Sequence, residues 1–150
     1  MPLTSAANAP LAMLLVLAFV AGFLAVLIFH QGVWWLLKSR GIMPANIPPA
    51  WTMGPSMPPL GVPRLISNSF WGGVWAIALA LALRGADGAG FWLPWTGLGA
   101  VALTLVALFV VPLLKGDAVS ASLQRFAVGC LLNGAWGFGT ALLLRVSGVA

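Results

Sequence analysis

Four long apolar runs organise this chain, at residues 11–37, 64–84, 95–114 and 121–146. Each holds about the 20 residues that an α-helix needs to cross the hydrocarbon of a membrane. In lipid the backbone must satisfy itself within its own segment, which selects helices. The pattern therefore predicts an all-α, polytopic membrane protein: a single membrane domain over residues 1–150 with four transmembrane helices. Within the first run, Ala18, Gly22, Ala25 and Gly32 fall at spacings of four, three and seven, a seam of small residues suited to close helix contact. His30 and Gln31 interrupt the end of that run, and Trp34, Trp35, Lys38 and Arg40 mark an interface by aromatic belt and basic anchors. Phe91, Trp92 and Trp95 around Pro94 read as a second belt before the third helix, and Pro112 predicts a kink or stop in its last turn. The residues before the first run lack a basic n-region, so no cleaved signal peptide is expected.

The break at 39–63 differs from the others. It holds seven of the eleven prolines and shows neither a helical nor an alternating period, so extended, polyproline-like backbone is expected. Loops of this length without secondary structure are usually functional or disordered. A flexible tether should be polar, whereas this segment is rich in Met, Ile, Trp and Leu. An ordered loop on the membrane surface or on a partner is expected, docking through Met43, Pro48, Pro49, Trp51, Met53 and Met57.

A short pattern occurs twice, 65 positions apart: Asn68, Trp71, Gly72 and Ala76, then Asn133, Trp136, Gly137 and Ala141. On a helix, i, i+4 and i+8 form one stripe and i+3 lies beside it. Gly and Ala then let a neighbouring helix approach, Asn can hydrogen-bond to it, and Trp acts as a wedge. Both stripes are expected to pack against the seam of the first helix. Because the second and fourth helices enter from the same side, the hairpins 1–2 and 3–4 are candidate parallel repeats about an axis along the membrane normal.

Composition narrows the classes further. Apolar residues make up 61% and charged residues 6%, with a mean hydropathy of +1.05, whereas a water-soluble surface needs about a quarter of the chain charged. The net charge of +5 comes from seven scattered Lys and Arg, which argues against nucleic acid as a partner. Five of them (Lys38, Arg40, Arg64, Lys115, Arg125) fall on the side of the first and third connections and two (Arg84, Arg145) on the other. The positive-inside rule then puts the proline-rich loop in the cytoplasm and both termini in the periplasm.

Catalytic chemistry has little to work with. One His, one Cys and two Asp cannot build a zinc or di-iron site, and no Gly-x-Ser-x-Gly elbow accompanies the single imidazole. A metal site and an enzyme are both unexpected. His30 is the one cofactor-binding candidate, as an axial ligand to a haem or chlorophyll-type tetrapyrrole with Trp34 one turn away; the alternative is a hydrogen bond to Gln31 or Asn68. The segments FHQGVWWLL, PPLGVP with SNSFWGGVW, and LLNGAWGFGTALL make the chain similar to a group of small four-span inner-membrane proteins of proteobacteria. That resemblance implies a place in the inner membrane and brings no established activity. The expected role is an accessory or scaffolding subunit whose partners are lipids and other membrane subunits or further copies of itself. The alternative is a small channel or carrier with a polar path at Asn68, Asn133, Gln31 and His30.

Overall fold

The computed structural model describes residues 10–58 and 60–149, so the segment read for a signal peptide lies outside the described residues. Four helices are long and apolar enough to span a membrane: α1 (Leu11–Ser39), α2 (Arg64–Ala82), α3 (Ala89–Lys115) and α4 (Leu123–Val146). Between α1 and α2 the chain makes one small antiparallel ladder, β1 (Ser56–Met57) with β2 (Val62–Pro63), in the register Ser56 to Pro63 and Met57 to Val62.

The bundle is assembled through small residues. A Cβ on Gly22 would fall 2.4 Å from both the Ala76 Cβ and the Gly72 carbonyl oxygen, so α1 and α2 meet backbone to backbone. Ala18, Ala25 and Ala76 are fully buried. On the other side of the molecule, a Cβ on Gly137 would fall 2.2 Å from the carbonyl oxygen of Trp95, and one on Gly99 would fall 2.7 Å from that of Asn133, which brings α3 against α4. Gly72 and Gly137 thus each pack on the helix that precedes them, so Gly137 faces α3 and not the α1 seam. Gly32 has nothing within 4 Å of its Cβ position and joins no helix contact. It falls where α1 has run past the start of α2.

That overrun follows from the register. Gly72 sits on Gly22, so Arg64, eight residues earlier, lies near the level of His30. The nine residues from there to Ser39 rise about 13 Å farther. The 31–39 portion of α1 packs on α4, in a cluster of Leu37, Met43 and Leu132 with Val33, Trp34, Ile47 and Val128 around it. The space above α2 is taken by the proline-rich loop.

One helix boundary lies well away from the expected one. α3 begins at Ala89, six residues early, because Phe91 and Trp95 are buried one turn apart in the core, which holds the turn helical around Pro94. The belt aromatics are therefore inside the helix. Pro112 lies in the last turn of α3, as expected, but the helix continues past it for three residues. A π turn at Val106–Val110 immediately precedes it and absorbs the missing hydrogen bond, and the helix runs to Lys115, where Gly116 closes it in the left-handed conformation at φ 72°.

At the end where α2 turns into α3, Arg145 pairs with Asp87 and lies over the Phe91 ring at 4.6 Å. The Arg145 hydrogen bond, then the Gly88 N–H, hold the Asp87 carboxyl below its ordinary range. The bridge therefore persists above that range and is lost as pH falls through the depressed value.

Candidate functional site

Three side chains and one backbone carbonyl of the upper half of α1 form one line. Leu27, Gln31, Trp34 and Lys38 are spaced four, three and four, which puts them on a single face, and each holds a piece of the loop. The Lys38 ammonium donates to the carbonyls of Pro44, Ala45 and Ile47, using all three of its N–H bonds. The Trp34 indole donates to the Pro48 carbonyl at 3.0 Å. The Gln31 Oε1 accepts from the Trp51 backbone N–H at 2.9 Å, and the Trp51 indole donates to the Leu27 carbonyl at 2.8 Å. The loop thus descends along α1, residue 44 at the top and residue 51 at the bottom.

A helix interior normally has no carbonyl to spare for such a contact. Here a π turn at Val26–His30 divides the Gln31 N–H between the Ile28 and Val26 carbonyls, which releases Leu27 from its usual i+4 donor and leaves its oxygen for Trp51. Trp51 is the one described non-glycine residue with positive φ, at 58°. A bulky side chain there costs about 1–3 kcal/mol and persists only where its surroundings hold it. Two hydrogen bonds to α1 do so. Below Trp51 the chain reaches the start of α2, where the Pro55 and Met53 carbonyls accept from Arg64 and Leu65 N–H, two of the first-turn donors that a helix leaves unpaired.

This arrangement revises the docking expectation for the loop. Met43 is 6% exposed, in the chain's own core, because it closes the Leu37–Leu132 contact. Trp51 spends both of its donors on α1, Pro48 accepts from Trp34, and Pro49 accepts from the Thr52 hydroxyl. Met57 is half-buried in β1, and Met53 is exposed. Replacing Gln31 by Leu removes the acceptor for the Trp51 amide and is expected to weaken the clamp by about 1–3 kcal/mol. Amide exchange at residue 51 then accelerates while the helices stay protected; unchanged exchange at 51 would contradict the clamp.

The twice-written pattern is used in two different ways. Asn133 donates to the Thr104 hydroxyl at 2.9 Å, tying α4 to α3, and Trp136, 1% exposed, donates its indole N–H to the Gly22 carbonyl at 3.0 Å. Its indole nitrogen also lies 3.1 Å from the Cβ position of Gly72, so Trp136 closes the α1–α2 crossing from α4. Asn68, by contrast, is exposed and Trp71 is 57% exposed. Trp71 is no wedge, because it faces outward while α1 packs on the Gly72, Gly73 and Ala76 side of α2. Ala141 is fully buried.

His30 ends the π turn. Its ring lies against that of Trp34, with centroids 6.2 Å apart and planes at 29°, and its Nδ1 is sealed from the surface without a hydrogen-bond partner. It bonds to neither Gln31 nor Asn68. The four polar residues expected to line a conduit make no hydrogen bond to one another: Gln31 binds the loop, Asn133 binds Thr104 of α3, His30 lies against Trp34 and Asn68 is exposed. Among the described residues no three His, Cys, Asp or Glu side chains gather as a metal site. The α1 stripe that grips the loop, and Thr104 as the partner of Asn133, were not foreseen; the 31, 34, 38 spacing and a lone Thr in an apolar run were the available signals. Comparison with protein-family models, with curated proteins and with solved structures finds no match.

Proposed function

We propose that the protein is a non-catalytic accessory or scaffolding subunit that packs against other subunits, or further copies of itself, in a membrane assembly. The uneven burial of its four apolar helices carries this reading. Of the most apolar stretch of α3, 11% is buried, against 33% in α1, 39% in α2 and 44% in α4. The first half of α3 is locked on α4 through Gly99 and Gly137, whereas beyond Thr104 it exposes Leu105, Phe109, Val110, Leu113 and Leu114. α1, α2 and α4 form the closed body, and α3 is the helix offered to a neighbour.

In this reading the protein lies in a bacterial inner membrane with the loop cytoplasmic and both termini periplasmic, on the five-to-two division of basic residues. The two hairpins are parallel repeats, a view supported by the matching contacts of Gly72 on α1 and Gly137 on α3. Native mass spectrometry after mild detergent extraction is expected to show the protein bound to a partner or to itself. Leu113→Ala, and Ala107→Leu at another exposed position of the same half of α3, should weaken that association. A single monomeric species would overturn the scaffold, and flux in liposomes abolished by Asn133→Leu would favour a carrier.

A further inference from the structure

The first turns of α2 carry a charge and an amide on a face that the other described residues leave open. Arg64 and Asn68 are exposed, and Trp71 follows on the same stripe at i+7. The stem of Arg64 lies along the loop at Gly54, yet neither its guanidinium nor the Asn68 amide makes a hydrogen bond or ion pair among the described residues. The chain has two acidic side chains. Asp87 is taken by Arg145 at the opposite end of α2, and Asp117 lies in the connection between α3 and α4. An exposed amide one turn from an exposed cation that makes no ion pair among the described residues suits a ligand that supplies both an anion and an acceptor.

We propose that this face binds one phospholipid, with Arg64 on the phosphate, Asn68 on a glycerol ester carbonyl and Trp71 along an acyl chain. Helical rise puts Asn68 about 6 Å and Trp71 about 10 Å beyond Arg64. The order along α2 of cation, amide and aromatic ring is therefore the order of anion, ester and hydrocarbon along the lipid. The Arg guanidinium presents the forked donors that suit phosphate. A partner helix could satisfy Asn68, but it would also have to bring an anion to Arg64 one turn away, which a phospholipid does by its own structure. This inference rests on the membrane-spanning reading and is independent of the scaffold.

The test is a native mass-spectrometry titration of the full-length protein in detergent with dioleoyl phosphatidylglycerol. One lipid is expected to bind, with affinity lowered roughly tenfold by Arg64→Gln, lowered several-fold by Asn68→Leu, and less affected by Arg64→Lys. Arg40→Gln, a charge removed elsewhere on the same side, should leave binding unchanged. Dioleoylglycerol, which lacks the phosphate, should bind as weakly to the native chain as phosphatidylglycerol does to Arg64→Gln. Dioleoylglycerol binding as tightly as phosphatidylglycerol would overturn the proposal. So would inorganic phosphate binding with equal affinity, which would mark a free-anion site, or Arg64→Gln and Asn68→Leu both binding like the native chain. Should Arg64→Gln fail to fold by circular dichroism, Asn68→Leu and the dioleoylglycerol comparison still decide.

Discussion

Placing a single methyl group on Gly22 is expected to break the α1–α2 pair. A Cβ there would lie 2.4 Å from the Ala76 Cβ and 2.4 Å from the Gly72 carbonyl oxygen. One of these atoms is backbone, so no rotamer change can relieve the contact and the two helices must separate. Overpacking in a well-filled interior costs about 1–3 kcal/mol and occasionally more. A backbone obstacle puts Gly22→Ala at or beyond the upper figure. The crossing also places Trp136 and positions the start of α2 beneath the loop, so the damage spreads to α4 and to residues 53–55. Gly32→Ala is the matched control on the same helix, with open space around it and a gain of up to about 1 kcal/mol in helix propensity. Midpoints of denaturant unfolding in micelles should fall steeply for Gly22→Ala and stay level or rise for Gly32→Ala. Equal midpoints for the two would mean that the helices do not meet at Gly22.

The contrast between these two glycines shows what the amino-acid pattern carried. Four apolar runs are long enough to announce four helices, and small residues at helical spacing mark where backbones approach, because no larger side chain fits there. The pattern does not say where a seam stops. Gly32 continues the spacing of Ala18, Gly22 and Ala25, but α2 has ended at Arg64 by that level. Nor does it say which large apolar residues face inward. On a water-soluble helix an outward Trp would be replaced by a polar residue, whereas helices apolar enough to span a membrane are apolar on every face, so Trp71 and Trp136 look alike while one is exposed and the other is sealed.

The loop was legible in part for a similar reason. Its apolar content argued against a flexible tether, and in the structure it lies along α1. Its docking on α1 depends on a carbonyl freed by a π turn at Val26–His30, a backbone event with no side-chain signature. Gln31 and His30 interrupted an apolar run, and nothing in that interruption distinguishes a loop clamp from a ligand.

Trp136→Ala is expected to rival the glycine substitution in effect, and for a complementary reason. Trp136 fills the junction of α1, α2 and α4 at 1% exposure, and the walls nearest its indole nitrogen are the Gly22 carbonyl and Gly72. Glycine walls have no side chains that could swing in, so the vacated space collapses poorly, which puts the loss in the range of about 3–5 kcal/mol found for large aromatic deletions. Trp136→Phe separates the hydrogen bond from the volume. The Gly22 carbonyl also accepts from the Val26 N–H within α1, so losing the indole donor does not orphan it, and the cost should be about 0.5–1.5 kcal/mol beyond the small change in ring size. Trp95 provides the opposite case. It is equally buried, but its indole N–H has no partner, so Trp95→Phe removes an unsatisfied donor and should be neutral or stabilising. Trp71→Ala, at an exposed position, should fall within about 0.5 kcal/mol of the native chain. The expected order of unfolding midpoints is Trp136→Ala far lowest, then Trp136→Phe, with Trp71→Ala and Trp95→Phe near or above the native value. A midpoint for Trp71→Ala as low as that for Trp136→Ala would mean that the two tryptophans have equivalent roles and that α4 does not close the α1–α2 crossing.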